Sequence, residues 1–207
     1  MNQTEAKKWF LKCLAGLGLL LALTAAIVIL VDPYFHYHRP FPFFPYRLYQ
    51  ERYINDGSSR HFDFDALITG TSMAQNFKPS QVDALFGTNC VKETFSGAGY
   101  QEISENLDRA LSRNKELKTV IWALDYNGFF REYDWVQYED YPTYLYDENP
   151  FNDVSYLFNK AILYHGVLAN VAATLSGSPS TTMDEYSSWQ QETGLDRILL
   201  SYDRDHV

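Results

Sequence analysis

The chain has 207 residues, of which 46% are hydrophobic and 16% aromatic, and its formal net charge is −9. That length suits one domain of ordinary size, and an acidic chain with no basic stripe to neutralise phosphates excludes a nucleic-acid partner. Cys13 lies in an apolar run away from Cys90, no Cys/His cluster has metal-ligand spacing, and Gly97-Ala98-Gly99 lacks the third glycine of a nucleotide loop, so neither a disulfide scaffold nor a metal or cofactor is expected.

Lys7, Lys8 and Lys12 precede an uncharged stretch, Leu14 to Val31, of 18 residues, and Trp9-Phe10-Leu11 extends it. About 20 apolar residues span a bilayer as a helix. Residues 9–31 are therefore expected to be a transmembrane signal anchor in contact with membrane lipid. Residues 1–8 form a cytoplasmic tail, because the lysines lie on that side and no cation follows the run until Arg39. Everything after Val31, Cys90 included, is then extracytoplasmic, and an impermeant maleimide should reach Cys90. The rival is a cleaved signal peptide, whose apolar core runs only about 7–15 residues. Lys12 stands before Cys13, where a lipoprotein signal has a small residue.

Residues 32–60 read as a connector. Its first part, Asp32 to Pro45, holds four prolines among tyrosines and phenylalanines, which forbids regular structure and suits the aromatic belt of a membrane surface. His36 and His38 are two residues apart without a third ligand, so interfacial packing is the better reading than a metal. Tyr49 to Arg60 is a polar stretch.

Phe64 to Phe77 organises the rest. Ala66 to Ile68 is a short apolar run that reads as a buried strand. Gly70 ends it with a sharp turn, and Ser72 follows at the expected start of a helix. There its hydroxyl would sit at a sheet edge near helix N–H groups, the geometry of a serine nucleophile with an oxyanion site. The competing reading is that Ser72 only caps the helix. The alternation continues with a helix from Pro79 carrying Val82, Leu85 and Phe86, a strand Val91 to Phe95 and the turn Ser96-Gly97-Ala98-Gly99. A helix to about Lys115 carries Ile103, Leu107, Ala110 and Leu111 on one face, and a third strand, Thr119 to Leu124, is apolar on both faces. Strand, helix, strand, helix, strand predicts an α/β domain with a parallel sheet flanked by helices. Ligand sites in such sheets lie at the carboxyl ends of the strands. There Ser72, Gly97 and Asn127 would converge as a nucleophile and two hydrogen-bond donors, unless all three turns are ordinary βα connections.

The phrases Ile68-Thr69-Gly70-Thr71-Ser72-Met73 and Leu124-Asp125-Tyr126-Asn127-Gly128, with a glycine after the second strand, resemble the SGNH (GDSL-like) hydrolase superfamily over about residues 60–130. The likeness is greatest to its membrane-anchored bacterial branch associated with surface polysaccharide. The resemblance implies a flavodoxin-like three-layer fold, Ser72 as nucleophile, and an oxyanion hole from the N–H groups of Ser72 and Gly97 and the Asn127 amide. Thr71 stands where that family has Asp, and Asp125 where its third block usually has Gly.

The remaining chain is expected to complete the extracytoplasmic domain, 61–207. Residues 129–150 form an aromatic-acidic insertion around Tyr133-Asp134-Trp135 and Tyr138 to Tyr146. Its rings either pack inward as a lid or stack on the sugars of a cell-surface glycan. Asn152 or Asp153 can cap a helix running to about Leu175, and Ser176 to Ser188 is a loop. A serine nucleophile needs a base. Of five histidines, His61 precedes the first strand and belongs at the far end of the sheet, and His165 lies inside a helix. His206 with Asp203 matches Asp-x-x-His by spacing and is the candidate base pair. No clear strand pair separates Asn127 from Asp203, so the expectation is a chain incomplete or diverged at its C-terminus, with no histidine within about 2.6–3.2 Å of Ser72. Three functions are compatible with this reading: an esterase or O-acyltransferase of surface glycan, a non-catalytic membrane-anchored accessory of polysaccharide assembly, and an α/β domain whose turns only resemble a site.

Overall fold

The computed structural model describes residues 2–135 and 142–187. The chain divides into two compact units, Met1–Arg47 with Pro142–Ser180 and Leu48–Tyr141 with Thr181–Val207. This division differs from a connector 32–60 followed by one domain 61–207: residues 48–60 belong with the sheet, and residues 142–180 with the N-terminal helix.

In the first unit α1, Gln3–Val31, is one apolar helix of 29 residues. At about 1.5 Å per residue it exceeds the ~30 Å hydrocarbon core of a bilayer, so it is long and apolar enough to cross a membrane. Asp32 ends it in a left-handed conformation, φ 38°. The buried Asp32 carboxylate accepts hydrogen bonds from the backbone N–H groups of His36, Tyr37 and His38 at 3.0, 2.7 and 2.9 Å and from the Tyr156 hydroxyl at 2.8 Å. Burial pushes this carboxyl up, against the four bonds that favour its charged form. His36 and the Tyr37 hydroxyl both bond Asp153, each at 3.1 Å. The aromatics that follow α1 are thus wound around two carboxylates, and no group of three metal-ligating side chains occurs among the described residues.

The single helix expected up to Leu175 is broken. α5 is Val154–Leu157, and helix resumes as a π-turn, Ile162–Val167, that continues into α6, Leu168–Ser176. Asn159 causes the restart: its side-chain oxygen accepts from the N–H groups of Ala161 and Ile162 at 2.8 and 3.4 Å, as an N-cap does.

The second unit is built on β1, Ala66–Gly70, β2, Cys90–Thr94, and β3, Thr119–Ala123, all parallel in the order β2-β1-β3. Its helices are α2, Glu51–His61, α3, Pro79–Phe86, and α4, Tyr100–Arg113. Alternate side chains of the strands divide between two cores. Ala66, Ile68 and Cys90 meet Val82 of α3, whereas Leu67 and Val91 meet Ala110 and Leu107 of α4. Helices therefore flank both faces of the sheet.

Four expectations need correction here. The polar stretch before the sheet is helix α2: its Asn55, Ser58 and Ser59 bond Thr94 and Glu93 of β2, so tertiary contacts override poor helix propensity. Of the three apolar residues expected on the inner face of α3, Val82 is in the core, while Leu85 and Phe86 are exposed, since eight residues make two turns and place one row on the sheet. Among the described residues β3 is an edge strand, and it is only half-buried. Cys90 is buried inside β2, and burial pushes its thiol up to about 12, so it is no target for a maleimide in the folded protein.

Candidate functional site

Gly70 lies opposite both Thr94 and Ala123 in the strand register. The three turns therefore leave the sheet along one edge, the carboxyl edge. The backbones of Ser72, Gly97 and Asn127 follow their strand ends by two, three and four residues. Gly70 has φ 148°, and a Cβ there would come within 2.9 Å of the Ala123 carbonyl oxygen. Glycine is what lets β1 turn while packed this close to β3.

Ser72 does not begin an α-helix. It opens a three-residue 3₁₀ turn, Ser72–Ala74, and the cap is Thr71, whose hydroxyl accepts from the Met73 N–H at 3.4 Å. Pro79 explains the short turn: it forces Lys78 into an extended conformation, φ −101° and ψ 113°, so α3 starts only afterwards. The long helix dipole expected at Ser72 is thus lacking. The Ser72 side chain is half-buried, and among the described residues neither its hydroxyl nor the Gly97 N–H has a hydrogen-bond partner.

The turn is held from beneath. The buried Lys92 Nζ donates to the carbonyls of Gln75 and Phe77 at 2.5 and 3.2 Å, and burial brings its ammonium down to about 8. The Gln75 amide donates to Glu51 and to Ser96 Oγ, the latter at 2.6 Å. Glu51 accepts the Ser96 N–H at 2.6 Å and the Thr94 hydroxyl at 3.3 Å. Arg52 donates to the Ser96 carbonyl at 2.9 Å and forks onto Glu102 at 2.6 and 2.9 Å. Ser96, next to Gly97, is thereby fixed through its N–H, carbonyl and hydroxyl, and Gly97 turns the chain at φ 66°. Glu51, Arg52, Gln75 and Lys92 are positioning residues that sequence reading missed. The one local signal was Lys92-Glu93, two adjacent charges in the short strand Cys90–Thr94.

The third turn is joined to the first. The Thr71 hydroxyl donates to Asp125 Oδ2 at 3.1 Å, and the Tyr100 hydroxyl donates to the Asp125 carbonyl at 2.9 Å. Residues 132–135 lie over the start of α4: the Gln101 N–H donates to the Tyr133 carbonyl at 3.0 Å, and a Cβ at Gly99 would strike the Trp135 carbonyl oxygen. Met73, Tyr126, Phe129, Phe130 and Tyr133 stay exposed on these turns, so the start of the insertion shows its rings rather than packing them inward.

His61, the one described histidine of this unit, ends α2 and leads into the amino end of β1, away from Ser72. Asp203, His206 and the Asn127 side chain lie outside what the structure describes. No protein-family model matches the chain, and no curated protein or solved structure matches it either.

Proposed function

We propose that the protein is a membrane-anchored, extracytoplasmic serine esterase or O-acyltransferase of the SGNH type acting on cell-surface polysaccharide. The observation that carries this reading is the order of turns along one sheet edge: Gly70-Thr71-Ser72, then Gly97, then Asn127. Two further features support it. The family's pattern has a carboxylate in the first turn, at position 71; here Thr71 and Asp125 hydrogen-bond one another, so the carboxylate comes from the third turn instead. The exposed rings of Tyr126, Phe129 and Phe130, on the turn after β3 at the same sheet edge, offer stacking faces for sugars.

In this reading Ser72 Oγ attacks an ester carbonyl and gives its proton to a base. The oxyanion accepts hydrogen bonds from the Ser72 and Gly97 N–H groups and the Asn127 amide. Collapse expels the alcohol, and the acyl group passes from Ser72 to water or to a glycan hydroxyl. His206 with Asp203 is the pair the sequence offers as base. The alternative is a catalytically inactive accessory protein of polysaccharide or cell-wall assembly; it is favoured by Ser72 opening only a three-residue 3₁₀ turn rather than the long helix N-terminus an oxyanion site would use. A fluorophosphonate probe separates the two. The active reading expects labelling of the full chain that Ser72→Ala abolishes and His206→Ala reduces. Folded wild-type protein that takes no label supports the accessory reading.

A further inference from the structure

In the first unit an apolar groove of about 470 Å³ lies between α1 and the segment 158–168, a volume in the range of about 300–1,000 Å³ typical of small-molecule sites. Thr24 and Ile27 of α1 form one wall; Phe158, Tyr164 and Leu168 form the other, and Lys160 lines it with an exposed side chain. We propose that this groove holds an acyl chain of an anionic phospholipid whose phosphate pairs with Lys160. The inference rests on the reading of α1 as a membrane span.

The occupant follows from where the wall stands. Ile27 and Thr24 precede the helix end at Val31 by four and seven residues, about 6 and 10 Å at 1.5 Å per residue. In a bilayer this is the depth of the upper acyl chains, and lipid tails are the apolar phase present there. The Thr24 hydroxyl is already bonded to the Leu20 carbonyl at 3.0 Å, so that wall makes no polar demand on a hydrocarbon chain. The opposite segment is built for the same boundary. Phe151, Leu168 and Leu175 are 88%, 54% and 83% exposed, which suits contact with lipid rather than water. The rings of Phe158 and Tyr164 fit the interfacial belt. A lysine beside such rings runs its stem along the apolar wall and lifts its ammonium to the level of phosphates.

The test uses the full chain in nanodiscs of mixed phosphatidylglycerol and phosphatidylcholine, with lipid retained after transfer to detergent counted by native mass spectrometry. The wild type should retain one phosphatidylglycerol in preference to phosphatidylcholine by about fivefold, the effect of one lysine near an anionic surface. Leu168→Trp, which fills the groove from an exposed position, should lose the retained lipid. Lys160→Gln should keep a lipid but lose the preference. Equal retention by the wild type and Leu168→Trp overturns the assignment, as does a wild type indifferent to headgroup. Carbonate extraction separates the two levels of failure. Wild-type protein released from membranes overturns the span and the groove together, whereas protein that stays integrated yet retains no lipid overturns the groove alone.

Discussion

The contact between Thr71 and Asp125 turns two departures from a sequence pattern into one interaction. A threonine donor faces a carboxylate acceptor at 3.1 Å, so moving the carboxylate from position 125 to position 71 should be tolerated better than adding a second one at 71. Thr71→Asp alone sets two carboxylates against each other and should lower the stability of the full chain by roughly 1–3 kcal/mol, within the usual range for a disrupted polar contact. Adding Asp125→Gly should recover more than half of that loss. Thermal unfolding of the four proteins of this cycle in detergent measures the coupling; strictly additive effects would show that the two turns are independent. At this scale the placement of the Ser72, Gly97 and Asn127 backbones at one sheet edge was legible in sequence because each follows a short apolar run that a glycine or polar turn closes. Glu51, Gln75 and Lys92 were not, since their partners lie 15–45 residues away, a distance over which periodicity carries no information.

The three strands and both sheet-flanking helices that follow them were legible as elements, because alternating apolar runs and helical spacing encode them directly. Helix α2 was hidden by its Gly57-Ser58-Ser59 stretch, whose helicity depends on β2. That strand carries an unusual electrostatic load. Glu93 accepts hydrogen bonds from Ser58 at 2.6 Å, Ser59 at 2.9 Å and Asn106 at 2.7 Å, yet burial raises its carboxyl from an ordinary 4.5 to about 7. Lys92, on the opposite face, falls from 10.5 to about 8. Between pH 4.5 and 7 the folded chain holds a proton on Glu93 that the unfolded chain has released, so this group's contribution to stability falls as pH rises. Between pH 8 and 10.5 the unfolded chain holds a proton that folded Lys92 has released, so stability contributed there rises with pH. Each slope is at most about 1.4 kcal/mol per pH unit. Urea unfolding followed by intrinsic tryptophan fluorescence should show wild-type stability relative to Glu93→Gln decreasing from pH 5 to 7. A constant difference across that window would mean that Glu93 is ionised throughout.

At the scale of the whole molecule, the long apolar N-terminal helix was legible from an uncharged run behind three lysines. The recruitment of residues 142–180 to the same unit was not, because the bonds that make it, from Tyr156 to Asp32 and from His36 to Asp153, join positions more than a hundred residues apart. If α1 crosses the membrane with its lysines inside, the sheet unit lies outside the cell, where a surface glycan is. Cys90 cannot report this, being buried, but its silence makes it a harmless background. In a Cys13→Ala chain, a cysteine placed at Glu116, whose side chain is 80% exposed, should react with an impermeant maleimide on intact cells as fully as after lysis. A cysteine placed at the exposed Asn2 should react only after lysis. The reverse pattern would invert the topology. A Glu116→Cys protein shortened by the length of α1 and released to the medium would identify the N-terminal helix as a cleaved signal peptide; full-length protein that stays with the membrane fixes it as the anchor.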